Sequence, residues 1–439
     1  MFEFLFLILF ILFPFLIILL YKFLLQEKIL KVGILNFLLI NIFMFAYLGV
    51  VFLFFHIDPL RVENGVVDQE IIFKIWFFSS LSVIFIILGA FFAKKSLHIK
   101  DVSFNTMNIQ KNSKIQRYKA YFFIFIGLLV LGLYIKQVPD LAIFNIFSFD
   151  DKNKLRVLRS DMGNNFKGSY FLYTIFMKDV LQFLIFAFYT QWLVFKEKRD
   201  LYIVLFLFFV NSFVALMAIE KAPIIWLIAG LFLVNILVKS KGLIPIKSII
   251  KITIPSFAIL ICMYMLFMKS LSISDAFNSV LSRAFTGSIT PAYFYLDLFP
   301  EYHDYLYGKS FPNPMGILPY EPVRLTVMVM DWVNPELEQL GIVGTMPTVF
   351  WAEIYANFGP VLIAPVAFFV GFILKLLDGL IMRFRLLPLS IGYYVWVILY
   401  FKNLSVTSFS NYTLNIPLII VTMVFIFVST SNFKIHYIR

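Results

Sequence analysis

Charge and cysteine are both scarce in this 439-residue chain. Only 14% of the residues are charged, whereas 61% are hydrophobic and 19% aromatic. Soluble globular domains carry about 25% charged residues, so this composition excludes that class of protein. The one cysteine, Cys262, excludes an intrachain disulfide, and its place in an apolar run indicates a small buried side chain. The composition therefore indicates a membrane protein.

The apolar runs are continuous and do not alternate with polar residues, which excludes a membrane barrel. A helix needs about 20 apolar residues to cross the bilayer. We therefore predict an all-α polytopic membrane protein in which residues 1–439 form a single integral membrane domain. It has about eleven spans, near 3–21, 33–55, 70–93, 118–136, 170–195, 201–219, 223–238, 249–268, 346–374, 386–402 and 412–431.

The positions of the cations predict the orientation. The segments that follow the odd-numbered spans hold 22 of the 37 Lys and Arg residues but only five of the 25 acids. Cytoplasmic loops carry such an excess of cations. We therefore expect the N-terminus outside, the C-terminus in the cytoplasm, and a large outer loop over 269–345, between spans 8 and 9. The net charge of +12 follows mostly from this bias, so no nucleic-acid partner is expected.

Cations in the predicted outer segments are candidates for binding a phosphate-bearing lipid. An arginine stays charged, and its planar guanidinium can hold two oxygens of a diphosphate at once. The alternative is that these cations are solvated or face lipid headgroups. The candidates are Arg156, Arg159, Lys221, Arg283 and Arg324.

Arg283 belongs to a segment with an apolar stripe at helical spacing. Phe277, Val280, Leu281 and Phe285 recur every three or four residues. We expect a short helix that lies in the membrane interface with Arg283 on its polar side.

Two groups in the late part of the chain could act as bases. His303 lies in the acidic stretch 297–304 and has a pKa range suited to accepting a proton from a sugar hydroxyl. A metal site with Asp297, Glu301 and Asp304 is the alternative, but the spacing matches no common ligand pattern, so no metal is expected. Glu353 falls in the outer third of span 9, where a carboxylate is costly without a cavity or a partner.

Three other features carry less chemistry. Lys178 and Asp179, near the middle of span 5, are expected to pair with each other or with neighbouring helices in a structural role. Trp351 fits an aromatic belt at the outer interface. Gly308-Lys-Ser310 resembles the end of a phosphate-binding loop only by accident, because neither the first glycine nor a preceding strand is present.

Two passages resemble a known family. Tyr307-Gly-Lys-Ser-Phe-Pro-Asn-Pro-Met-Gly-Ile-Leu-Pro319 is followed by Pro347-Thr-Val-Phe-Trp-Ala-Glu-Ile-Tyr-Ala-Asn-Phe-Gly359. With about eleven spans and one large late outer loop, they resemble the bacterial oligosaccharide repeat-unit polymerases, the O-antigen polymerase or Wzy group. The resemblance in topology covers most of the chain, and that in motif covers 308–359.

The resemblance implies a metal-independent glycosyltransferase of the GT-C type in the bacterial cytoplasmic membrane. Such enzymes join undecaprenyl-diphosphate-linked oligosaccharide repeat units into surface polysaccharide at the outer leaflet, without a nucleotide sugar or other cofactor, and can work with a chain-length regulator protein. By position, the arginines would bind the diphosphate, Tyr355 and Asn357 would bind substrate, and His303 or Glu353 would be the base. Many relatives place an arginine directly after the proline of the first passage; this chain has Arg324 five residues later.

Three other functions remain. An O-antigen ligase would have the same topology and a lipid A core acceptor. A flippase of lipid-linked oligosaccharide would spread charges along several spans, whereas here they cluster at the outer ends, Lys178 and Asp179 excepted. A scaffold without catalysis would not need an arginine-rich outer loop of this length.

Overall fold

The computed structural model describes residues 2–99, 109–145, 157–159, 161–163, 166, 168–268, 272–336, 343–381, 387–413 and 415–430. The described residues contain helices and no strand. In chain order the helices are α1 (Phe2–Leu25), α2 (Ile34–Phe54), α3 (Pro59–Glu63), α4 (Gln69–Ser96), α5 (Lys114–Gln137), α6 (Tyr170–Phe195), α7 (Lys198–Leu216), α8 (Ala222–Lys239), α9 (Ile246–Met268), α10 (Ile273–Phe285), α11 (Thr290–Leu298), α12 (Leu325–Val333), α13 (Phe350–Phe358), α14 (Ile363–Ile381), α15 (Pro388–Phe401) and α16 (Ile416–Ser429).

The predicted fold class is confirmed. Among the described residues, ten helical segments are long and apolar enough to cross a membrane. Nine of them begin and end within four residues of a predicted span, the last one being Phe409–Ser429. The protein is therefore an all-α polytopic membrane protein.

Predicted spans 9 and 10 differ from the structure. Gly359 has a φ of 71°, which ends α13, and the next apolar segment begins only at Pro360. Glu353 therefore lies on a separate nine-residue helix and not in the outer third of a continuous span. Span 10 corresponds to α15, whose 14 residues rise only about 21 Å, less than the thickness of the hydrocarbon core.

The chain forms two compact units. Unit 1 comprises Met1–Asp101, Ser274–Gly379 and Phe401–Asn415. Two glycines bring α4 and α14 together in this unit. A Cβ added to Gly89 would lie 1.9 Å from the carbonyl oxygen of Phe368, and one added to Gly371 would lie 1.9 Å from that of Ile86. Small residues permit such close contact between membrane helices.

Unit 1 also contains an ion cluster formed by segments predicted to be cytoplasmic. Lys375 donates to Glu27 Oε1 at 2.5 Å, and Lys94 donates to the same oxygen at 3.2 Å. Asp378, which belongs to the same predicted cytoplasmic segment as Lys375, accepts from the backbone N–H of Ile34 at 3.0 Å. Segments predicted to share one side of the membrane therefore do meet in this unit.

Unit 2 comprises Val102–Ile273, Leu380–Tyr400 and Ile416–Arg439. Its α6 contains a π-helical stretch, Ile175–Val180, in which Asp179 Oδ1 accepts from Trp396 Nε1–H at 3.2 Å. This contact with a neighbouring helix fits the structural role predicted for Asp179. Cys262 lies on an exposed part of α9, so the prediction of a buried thiol is wrong.

A buried polar cluster joins two predicted cytoplasmic segments of unit 2. Arg117, 5% exposed, donates to Glu197 Oε2 at 3.0 Å and to Asp200 Oδ2 at 3.3 Å. Gln191 also donates to Asp200, whose side chain is fully buried. As in unit 1, these contacts join segments that are predicted to lie on the same side of the membrane. That this side is the cytoplasmic one stays a prediction.

Candidate functional site

Glu353 lies at the centre of a hydrogen-bonded network in unit 1. Helix α13 buries the residue, leaving it 2% exposed. The Ser310 hydroxyl donates to Glu353 Oε1 at 2.6 Å, and the Ser410 backbone N–H donates to Oε2 at 2.6 Å. Both oxygens of this carboxylate therefore have partners, and neither partner carries a charge.

Asn357 connects Glu353 to the passage around Gly308. One turn after Glu353 on α13, its Nδ2 donates to Ser310 Oγ at 2.8 Å and to the carbonyl of Glu353 at 2.8 Å. Its Oδ1 accepts from the Gly308 backbone N–H at 3.0 Å. Asn357 is completely buried and these groups are engaged, so its side chain holds the loop against α13. Binding of substrate by Asn357 stays a prediction.

The same loop caps the end of α13. The backbone N–H groups of Leu306 and Tyr307 donate to the carbonyls of Ala356 and Asn357 at 3.0 and 2.9 Å. These are carbonyls of the last helical turn, which have no partner within the helix. The glycine at 308, with a φ of 91°, lets the chain turn towards Ser310.

Burial raises the pKa of the Glu353 carboxyl, and the bonds from the side chains of Ser310 and Ser410 and from the backbone at 409–410 partly oppose that shift. Helix α13 is not among the ten apolar segments long enough to span a membrane.

Tyr295 on α11 is a titratable neighbour of Glu353. Its phenol donates to the Met346 carbonyl at 3.1 Å. Burial, and then the charge of Glu353, raise the pKa of Tyr295, so that this phenol stays neutral.

A second polar cluster joins α3 and α10. Asp58 Oδ2 accepts from the hydroxyls of Ser282 and Thr286 at 2.6 and 2.5 Å. Arg61 Nε lies 3.8 Å from the same oxygen and makes no hydrogen bond. Burial lowers the pKa of Arg61, Asp58 opposes the shift, and the nearby Arg283 adds to it. A second guanidinium, that of Arg283, therefore lies close enough to Arg61 to act on it electrostatically.

The predicted interfacial helix is confirmed as a helix, Ile273–Phe285, with Ala276 and Val280 buried and Arg283 exposed. Its last turn contributes Ser282 to the cluster with Asp58. The predicted outer segments at 56–69 and 269–345 therefore meet in unit 1.

The other predicted site residues of unit 1 have different surroundings. His303 is exposed, with Nδ1 2.6 Å from the carbonyl oxygen of Asp304 and its ring 5.4 Å from that of Phe299. Arg324 is exposed at the start of α12. Tyr355 is buried, and its ring packs edge to face on Tyr305 at 5.9 Å. Among the described residues, no three His, Cys, Asp or Glu side chains are grouped to hold a metal ion.

Two predicted cations belong to unit 2. Arg159 is exposed, and Lys221 Nζ lies 4.1 Å from the ring centroid of Tyr264, a cation–π contact. Arg156 lies outside the described residues.

Sequence reasoning missed Ser310, Ser410 and Arg61. Ser310 stood in the Gly-Lys-Ser element, and Arg61 stood three residues after Asp58 in a predicted outer segment, but nothing in their spacing indicates the distant partners. The prediction for Trp351 is wrong. It is fully buried and donates to Ser79 Oγ at 3.2 Å instead of lying in an interfacial belt.

Comparisons with known proteins add no identity to this geometry. No protein-family model, no curated protein and no solved structure matches the chain.

Proposed function

We propose that this protein polymerises undecaprenyl-diphosphate-linked oligosaccharide repeat units into surface polysaccharide. One observation carries the proposal. The two passages that resemble the repeat-unit polymerases are separated by more than 25 residues, yet Ser310 of the first bonds directly to Glu353 and Asn357 of the second. A buried carboxylate with these partners is an expensive feature in an apolar protein, and a functional site is a physical reason to keep it.

The cluster of α3 and α10 supports binding of the lipid diphosphate. Arg61 and Arg283 carry two positive charges against the one negative charge of Asp58. Ser282 and Thr286 already satisfy part of that carboxylate. The excess positive charge suits an anionic ligand, and a diphosphate offers the paired oxygens that guanidinium groups bind best.

In the proposed reaction, a sugar hydroxyl of the acceptor repeat unit attacks the anomeric carbon of the donor glycan. The new glycosidic bond forms as the bond to the diphosphate oxygen breaks, and the electron pair leaves with the lipid diphosphate. The arginines stabilise the charge that develops on the leaving group. His303 or Glu353 receives the proton of the attacking hydroxyl.

The proposed enzyme is a GT-C-type, metal-independent glycosyltransferase in the bacterial cytoplasmic membrane, with its N-terminus outside and its C-terminus in the cytoplasm. Its substrates are two lipid-linked glycans at the outer leaflet. A chain-length regulator protein is the proposed partner.

Reconstitution of the purified protein with undecaprenyl-diphosphate-linked repeat units tests the proposal. We expect a ladder of glycans that differ by one repeat unit, equally strong with and without EDTA. A single transfer to a lipid A core acceptor without a ladder would indicate a ligase instead. Movement of the lipid-linked glycan across vesicles without any new glycosidic bond would indicate a flippase.

A further inference from the structure

Ser310 is the more accessible member of its hydrogen-bonded group with Glu353 and Asn357. Ser310 is half-buried, whereas Glu353 is 2% exposed and Asn357 is fully buried. A substrate hydroxyl that approaches this network therefore reaches Ser310 before it reaches the carboxylate.

The partners of Ser310 determine where its single hydrogen points. Asn357 Oδ1 accepts from the backbone N–H of Gly308, which identifies the other amide atom as the NH₂ group. That NH₂ group can only donate, so Ser310 Oγ accepts from it at 2.8 Å. The hydroxyl hydrogen of Ser310 is then directed to Glu353 Oε1 at 2.6 Å.

This arrangement leaves one lone pair of Ser310 Oγ without a partner among the described residues. One lone pair accepts from Asn357, and the hydrogen is given to Glu353. A hydroxyl has two acceptor positions. The second position is therefore available to an incoming O–H donor.

We propose that Ser310 is a catalytic residue that accepts the proton of the acceptor sugar hydroxyl while its own proton passes to Glu353. The inference rests on the proposed polymerase function and assigns the base to this pair instead of His303.

The atoms of the step balance. The sugar oxygen forms the bond to the anomeric carbon and loses its proton to Ser310 Oγ. The original hydroxyl proton of Ser310 moves to Glu353 Oε1, and the electron pair of the broken bond leaves with the lipid diphosphate. Ser310 ends as a hydroxyl and Glu353 as a neutral acid, which returns its proton to solvent through the same hydroxyl.

Two physical features suit Glu353 to receiving this proton. Burial raises its pKa above the usual range of a glutamate, so the carboxylate is a stronger base than one in water. The Ser410 backbone N–H holds the other carboxylate oxygen at 2.6 Å and thereby fixes the orientation of the group.

The test compares polymerisation by the reconstituted wild type, Ser310→Ala, Ser310→Thr and Glu353→Gln across pH, with Ser274→Ala as the matched control. Ser274 is an exposed serine of α10, outside the network. General-base catalysis contributes about 100- to 10,000-fold, so we expect kcat of Ser310→Ala to fall by that order while KM stays within threefold. Ser310→Thr keeps the hydroxyl and should retain activity within about tenfold.

The pH profile separates a relay from a merely structural hydrogen bond. Glu353 must be ionised to accept the proton, so wild-type activity should decline as the pH falls through the raised pKa of this carboxyl. The residual activity of Ser310→Ala should not follow this limb. The rate in mixtures of H₂O and D₂O should vary nonlinearly in the wild type, because two protons move, and linearly in Ser310→Ala.

A wild type that polymerises together with a Ser310→Ala variant that keeps its rate and its acid limb would overturn the relay and leave the proposed function standing. Loss of activity in both Ser310→Ala and Ser310→Thr with an unchanged acid limb in the residual rate would also overturn it. A wild type that forms no ladder, with correct folding verified by thermal unfolding, would remove the proposed function and the relay together.

Discussion

At the scale of single residues, the polar groups of unit 1 are organised by the cost of burying charge. A carboxylate or guanidinium removed from water must be paired or hydrogen-bonded. Sequence position indicated that Glu353 needed a partner. It could not identify Ser310 and Ser410, because a hydroxyl or a backbone N–H at a distance of more than 40 residues has no local signature.

The two arginines of the cluster with Asp58 provide the first prediction. Loss of a hydrogen bond to a charged group costs about 1.5–3 kcal/mol, so Arg61→Ala and Arg283→Ala should each raise the KM for the lipid-linked donor about 10- to 100-fold. Arg199→Ala, which removes an arginine that is 60% exposed and lies in a predicted cytoplasmic segment, should leave KM unchanged. An unchanged KM in both cluster variants would contradict the assignment of the diphosphate to these residues.

Asn357 provides a prediction about stability. Asn357→Leu would leave the Gly308 N–H without its acceptor and Ser310 without its donor, at a cost of about 1–3 kcal/mol for each buried group left unpaired. Asn411→Leu changes an exposed asparagine and should cost little. Thermal unfolding in detergent measures both, and equal midpoints would show that the network does not stabilise the loop.

At the scale of helices, hydropathy predicts most of the long helices and their approximate bounds, because a membrane span must be long and apolar. The errors have particular causes. A glycine with positive φ at 359 followed by Pro360 separates α13 from the next apolar segment, although the residues on both sides are apolar enough to read as one span. The predictions for Trp351 and Cys262 are wrong because apolar composition does not distinguish a protein-facing side of a helix from a lipid-facing one.

The contact between α4 and α14 predicts a strong effect of one methyl group. Gly89→Ala would force its Cβ against the Phe368 carbonyl oxygen and should destabilise the protein by about 1–3 kcal/mol or more. Gly132→Ala is the matched control in α5, where a Cβ meets nothing within 4 Å, and should be neutral or stabilising by up to about 1 kcal/mol. Similar unfolding midpoints for the two variants would contradict the close packing of these helices.

The buried cluster of unit 2 yields a prediction with an internal control. Arg117→Met would leave the fully buried Asp200 without its cation, which costs about 3–5 kcal/mol for a buried pair. Arg199→Met removes one exposed partner of Glu197, a pair worth about 0–1 kcal/mol. The loss of unfolding free energy that Arg117→Met causes should largely disappear in the double variant Arg117→Met/Asp200→Leu, which also removes the buried carboxylate.

At the scale of the whole molecule, the distribution of cations predicted which loops share a side, and contacts within each unit agree. Asp58 meets Ser282, Glu27 meets Lys375, and Arg117 meets Glu197. The polar residues of these loops could be grouped from charge alone. The pairing of individual side chains could not, because it depends on packing between segments far apart in the chain. We propose that the Glu353 network and the cluster of Asp58, Arg61 and Arg283 serve chemistry on the outer side of the membrane.

Labelling with a membrane-impermeant maleimide on intact cells tests that claim most directly, in a Cys262→Ser background. Met315→Cys places a thiol at a fully exposed position of the long loop, and Lys198→Cys places one at an exposed position of a predicted cytoplasmic segment. We predict that Met315→Cys is labelled in intact cells and that Lys198→Cys is labelled only after the cells are permeabilised. The reverse pattern would contradict the account.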